Sequence, residues 1–157
     1  MGDVLGISPQ VCRAPWARLT PQVAHGLARL RGDVLVVEAG RPRPELDDAD
    51  LAPTTEHLWV PDGEVPVACL RIVRDAEGVP MIDRACARTD VRRLGLVSAL
   101  VTDVVARRGS GRVRALALPG TVAFFIRHGF EVSGLPTEAS GARVTPMLRH
   151  PEVPWRD

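Results

Sequence analysis

Lysine, asparagine and tyrosine are missing from the 157-residue chain, so all twenty basic side chains are arginine. The codons of the missing residues are AT-rich. A GC-rich genome therefore accounts for the loss without any functional pressure. Arginine keeps the planar, bidentate grip on phosphate or carboxylate that lysine lacks. Cysteine is scarce: Cys12, Cys69 and Cys86 are scattered and odd in number. With no CxxC pair and no disulfide framework, the chain is expected in a reducing, cytoplasmic compartment. A net charge of +1 argues against an electrostatic nucleic-acid binder. No apolar run approaches the roughly 18–20 residues of a membrane span. The opening MGDVLGISPQ has no basic segment followed by an apolar block, so no secretory leader is expected there. The histidines and cysteines lack the spacing of a metal-ligand set.

What remains is ordinary for one globular domain. Hydrophobic residues make up 45% and charged residues 25%, and the length suits one core. Thr20-Pro21 reads as a helix start, an N-cap hydroxyl before proline at the first helical position. Val23, Leu27, Leu30 and Val34 follow at helical spacing. The apolar run 35–37 continues that helix or begins a strand; periodicity does not decide. Residues 39–55 are Pro-rich, acidic and aperiodic, and are expected to form a long ordered loop. Strands are predicted at 57–60, 65–73 and 81–88, with turns at 61–64 and 75–80. A helix is predicted over 93–108, ended by Gly109-Ser110-Gly111. A strand at 113–118, a short helix at 121–128 stopped by Gly129, and strands at 130–132 and 144–148 complete the order. The pattern predicts an α/β (α+β) domain of six to seven strands spanning residues 1–157, with peripheral ends at 1–10 and 150–157.

The segment ACARTDVRRLGLVSALV (85–101) turns from a strand into a helix through a basic, glycine-containing loop. The first N–H groups of a helix lack intrahelical acceptors and, with the helix dipole, favour an anion. Arg92 and Arg93 add charge there. On spacing alone an ordinary helix entry is a better reading of the segment than a phosphate cradle, because one glycine is a weak motif.

Further motifs fall in an order that resembles the GNAT acetyltransferase superfamily, in particular its ElaA-like branch. Arg92-x-x-Gly95-x-Val97 is similar to the Q/R-x-x-G-x-G/A loop of that superfamily. AFFIRHGF (123–130) resembles A-x-x-F-Y-x-x-x-G-F. LARLRGDVLVVE (27–38) is similar to L-x-x-L-R-x-x-V-F-V-V-E. Glu45, Asp47 and Asp50 match an E-x-D-x-x-D run, while His57-Leu58 and Leu70-Arg71 fall where the branch has H-L and L-R. The resemblance spans about residues 16–148.

The resemblance implies a GNAT fold, with a central, mostly antiparallel mixed sheet flanked by helices. It implies an N-acetyltransferase that passes an acetyl group from acetyl-CoA directly to a primary amine of a small molecule or peptide. It leaves a homodimer open. Cys86 and Ala87 would pair with the pantetheine arm like an added strand. The amides of Arg92, Arg93, Leu94, Gly95, Leu96, Val97 and Ser98 would hold the pyrophosphate. The thioester would end near Phe124 and Phe125, with Phe124 turned to the core and Phe125 at the place of the superfamily's proton-donating tyrosine.

Departures matter. Val97 stands where the loop keeps Gly or Ala, and its branched side chain is expected to crowd a phosphate. Arg93 replaces another glycine. The G-I-P-H-like segment of the branch is GARV (141–144) here, with no histidine. These changes keep a second reading open, a non-catalytic domain that binds acyl-CoA or a protein partner. Base candidates are Glu38, Glu45, Asp47, Asp50 and Glu138; Glu38 reads equally as a base whose partial burial raises its pKa or as a helix-terminal carboxylate, and Glu138 falls where the branch has an acidic residue. Glu45, Asp47 and Asp50 read as a solvated loop able to attract a cationic amine. Arg71 reads as a structural ion-pair partner, His128 as a helix-terminal residue favoured by the dipole, and Cys86 as a packing residue.

Overall fold

The structure, a computed structural model, describes residues 9–108, 111–139 and 141–151. Its centre is a mixed sheet of eight strands. These are β1 (Cys12–Ala14), β2 (Glu56–Asp62), β3 (Val65–Arg74), β4 (Pro80–Ala87), β5 (Val113–Ala117), β6 (Glu131–Val132), β7 (Thr137–Ala139) and β8 (Ala142–Arg149). The order is β1-β2-β3-β4-β5-β8-β6, with β7 paired to β8. Every neighbouring pair is antiparallel except β4 and β5, which run parallel. This is the mostly antiparallel mixed sheet expected. The additional strands are β1 and β7, three residues each, too short to give a period.

Helix α1 (Pro21–Arg31) begins as its sequence indicates. Thr20 Oγ1 accepts from Val23 N–H at 3.2 Å, and Pro21 fills the first helical position. The ambiguous apolar run continues the helix, but with a wider π turn over Gly32–Glu38. There Arg41 N–H reaches back five residues to Val36 C=O. Leu35 points inward while Val37 remains exposed. Helix α2 (Leu96–Arg108) buries Leu100, Val101 and Val104. Gly109 and Ser110, its expected stop, lie outside the described residues, as do most of both peripheral ends. No helix among the described residues is long and apolar enough to cross a membrane.

The two faces of the sheet carry different chemistry. On one, Leu58, Leu70, Ile72, Ile82 and α2 close a purely apolar core. On the other, α1 contributes Leu27 and Leu30 against Cys69 and Cys86. Side chains of a strand alternate between faces, and β4 breaks that rule once. Arg84 has φ +54°, and the ladder with β3 shifts between Cys69 and Arg71. One extra residue at a bulge reverses the alternation. Ile82 precedes it on the α2 face, whereas Ala85 and Ala87 follow it there. Asp83 and Cys86 consequently share the α1 face, opposite Arg71 and Cys69.

Candidate functional site

β4 and β5 pair over only two registers, Met81 with Arg114 and Ile82 with Ala115. Beyond them the strands part, and a cleft of about 660 Å³ opens between them. Parallel neighbours need a crossover, here supplied by the loop after β4 and by α2. The crossover carries the N-terminus of α2 to the cleft mouth.

At that mouth the chain makes two left-handed turns, Arg93 at φ +65° and Gly95 at φ +76°. Arg93 occupies a conformation that glycine adopts more readily, in keeping with the glycine usual there in the superfamily. A Cβ built on Gly95 would meet no atom within 4 Å, so open space faces the backbone. Ala99 N–H donates to Gly95 C=O at 2.9 Å, the first bond of the helix. The amides of Leu96, Val97 and Ser98 therefore precede the helical ladder and have no acceptor within it. The concave, cationic mouth fits a pyrophosphate. Val97 lines the cleft and also packs against the core.

Arg92 is already engaged. Its Nε–H donates to Ala87 C=O at 3.1 Å, and its two terminal nitrogens grip both carboxylate oxygens of Glu38 at 2.5 and 2.6 Å. This overturns the expectation for Glu38. The side chain is exposed, and the hydrogen bond from Arg92 holds its carboxyl below the usual range instead of burial raising it. Glu38 does not line the cleft. Glu138 does not either; it is an exposed β7 side chain 3.9 Å from Arg143. Leu94 turns outward, half exposed. Cys86, Ala87, Arg92, Arg93, Gly95, Leu96, Val97, Ser98 and Phe125 all line the cleft.

Of the two phenylalanines of α3 (Val122–Arg127), Phe125 and not Phe124 is the one turned to the core. Phe125 is 3% exposed and Phe124 is half-buried. The cause is the helix stop. Gly129 N–H donates to Ile126 C=O at 3.0 Å, and Phe130 N–H to Phe125 C=O at 3.1 Å, with Gly129 at φ +84°. This is a Schellman ending, which brings the residue after the glycine against the one five positions earlier. The rings of Phe125 and Phe130 accordingly meet edge to face at 5.4 Å. Phe125 thus belongs to the core while its ring forms part of the cleft wall. Phe124 faces His128 at 4.7 Å.

His128 Nε2 lies 3.0 Å from Ser98 Oγ inside the cleft, a polar pair that the sequence reading did not join. Burial, with Arg127 nearby, lowers the His128 pKa, so the helix dipole does not dominate it. No sequence spacing links residues 98 and 128; only the fold brings the start of α2 and the end of α3 together.

The acidic loop is the largest departure from expectation. A short 3-10 turn, Asp48–Leu51, is fixed by a capping box between Asp47 and Asp50. Glu45 and Asp50 are buried, whereas Asp47 keeps partial access to solvent. Arg31, Arg43, Arg71 and Arg84 interleave with Glu45, Asp47, Asp50 and Asp83 in one balanced network. Arg71 is 2% exposed and holds Asp83 through two 2.8 Å bonds, with Asp47 at 2.6 Å. Arg31 reaches Asp50 at 2.7 Å. Arg84 Nε sits 2.8 Å from Glu45, an ion-pair contact without hydrogen-bond alignment. Burial alone would raise the Asp50 carboxyl, but bonds from Arg31 and the Asp47 amide bring it down to about 2. Asp47 is lowered likewise: burial opposes, and Arg71 prevails. Neither is a proton acceptor near neutrality. His57 belongs to the same frame: its Nε2 lies 3.1 Å from Asp50 C=O, and burial lowers its pKa. Asp83, Arg84 and Arg43 form the polar part of the cleft wall at this end. The sequence reading missed them because the bulge at Arg84 defeats simple alternation.

The chain is 35% identical over 146 residues to the UPF0039 protein Rv2851c of Mycobacterium tuberculosis, covering 89% of this chain and 93% of that protein. The UPF0039 protein Mb2876c of Mycobacterium bovis matches equally. The chain belongs to the UPF0039 family. No protein-family model matches it. Among solved structures, the UPF0039 chain is similar to an acyl-CoA N-acyltransferase from Pseudomonas aeruginosa. The TM-score is 0.80 at 26% identity, over 90% of this chain and 99% of that one. It also shares its fold with Escherichia coli ElaA, at TM-score 0.77 and 21% identity over 91% and 100%. The UPF0039 chain is thus a divergent member of the GNAT superfamily.

Proposed function

We propose that this UPF0039 chain is an acyl-CoA-dependent N-acyltransferase that passes an acetyl group directly to a primary amine of a small molecule or peptide. The observation that carries the proposal is the parting of β4 from β5 beside the open backbone turn at Gly95. Acetyl-CoA supplies the activated thioester. The backbone of Cys86 and Ala87 would pair with its pantetheine arm, and the amides from Arg92 to Ser98 would hold the pyrophosphate. Arg93, which makes no close ion pair among the described residues, adds charge at the mouth.

Proton handling is assigned to water. Phe125 offers no hydroxyl, and Glu38 and Glu138 stand outside the cleft wall. A positioned general acid is typically worth about 10²–10⁴-fold, so its absence slows the reaction without abolishing it. Thiol release from acetyl-CoA against a panel of amines tests the proposal, and release with at least one amine is expected. A Phe125→Tyr variant is expected to raise kcat, up to about 10²-fold; no gain would mean that water already meets the need. The phenylalanine also supports a second reading, an acyl-CoA-binding domain without turnover. Binding without thiol release for any amine would favour it.

A further inference from the structure

Two of the three cysteines meet on the α1 face of the sheet. Cys69 on β3 and Cys86 on β4 are directly opposed in the antiparallel ladder, and their Sγ atoms lie 3.7 Å apart. Directly opposed antiparallel residues have Cα atoms about 4.5–5.5 Å apart, inside the range a disulfide spans. The bulge at Arg84 creates this meeting, because without it Cys86 would face α2. Cys86 also lines the cleft, whereas Cys69 lies behind it, its thiol toward Arg84 C=O at 3.9 Å. The pair therefore has one cysteine on the cleft wall, from which side a small oxidant would approach, and a second in contact to complete the reaction.

We propose that Cys69 and Cys86 are a reversible dithiol–disulfide pair whose oxidation weakens acyl-CoA binding. The oxidant class is a peroxide. The Cys86 thiolate attacks one peroxide oxygen and the O–O bond breaks; the departing hydroxide takes up a proton. The sulfenic acid so formed is attacked by the Cys69 thiolate; the S–O bond breaks and water leaves. The sum is two thiols and hydrogen peroxide giving one disulfide and two waters. Hydrogen bonding to Cys69 and burial push the Cys86 thiol well up, which makes the first step slow. Closing the bridge draws β4 toward β3 at the segment whose backbone would pair with pantetheine. The affinity effect rests on the proposed cofactor reading; the bridge itself does not.

The full chain, reduced and then treated with hydrogen peroxide, is alkylated and mapped by mass spectrometry, while CoA affinity is measured before and after. The expected result is a Cys69–Cys86 linked peptide, with Cys12 still alkylated. CoA affinity falls by at least about five-fold, restored by dithiothreitol. Bound CoA must oppose bridging by the same factor, since the coupling is reciprocal. Cys69→Ala should bind CoA normally when reduced and lose the reversible response. Both thiols remaining alkylatable, a bridge with unchanged affinity, or an undiminished reversible response in Cys69→Ala would overturn the proposal. If the reduced protein binds no CoA, the cofactor reading fails with the affinity effect, and the mapped peptides still decide the bridge.

Discussion

The two ends of the cleft use arginine in opposite ways. At the Arg84 end, four guanidiniums and four carboxylates are interleaved, largely out of solvent with Asp47 at the exposed edge, and each charge answers another. At the Gly95 end, one exposed pair, Arg92 with Glu38, stands beside backbone amides that face open space. Buried paired charges are expensive to separate. Exposed pairs exchange partners at little cost. The first end is therefore scaffold that fixes the acidic loop against the sheet. The second is a surface on which an incoming anion can replace a resident carboxylate.

The sharpest way to break this contrast is Arg71→Met. It leaves Asp83 buried without its main partner and removes one bond to Asp50, and about 3–5 kcal/mol of stability should be lost. Urea denaturation measures it; a midpoint within error of the parent would show that the network is dispensable. Acid provides a related test. The Asp50 carboxyl titrates lower when folded than unfolded, 3.8 falling to about 2. The unfolded chain takes the proton first as pH drops, so stabilisation present above about pH 4 declines toward about pH 2. Asp50→Asn should flatten that acid limb in circular-dichroism titrations.

At the other end the effect should shift from stability to binding. Arg92→Ala is expected to weaken CoA about ten-fold, equivalent to about 1.4 kcal/mol, while leaving the urea midpoint in place. A midpoint drop like that of Arg71→Met would erase the distinction. Smallest of all, Glu38→Gln and Glu138→Gln should leave kcat for thiol release unchanged. A large loss in either would restore that carboxylate as a base.

The same contrast explains what the sequence made legible. Capping, glycine stops and apolar period act locally, so Thr20, Gly129 and the buried stripe of α2 read directly. The strand-to-helix geometry around Gly95 read well because strand, turn and helix entry are contiguous. The network did not. Glu45, Asp47 and Asp50 look solvated until Arg31, Arg71 and Arg84 arrive from three other elements. Glu38 ends an apolar run, yet a wide helical turn exposes it. Phe125 and Phe124 differ by one position, and the Schellman contact with Phe130 decides which is buried. The meeting of Cys69 and Cys86 depends on a bulge that no residue type announces.

Titration of acetyl-CoA into the reduced protein by calorimetry tests the central claim most directly. Saturable binding, weakened in Arg92→Ala and retained in Glu138→Gln, is the predicted result. No heat of binding up to high micromolar acetyl-CoA would contradict it.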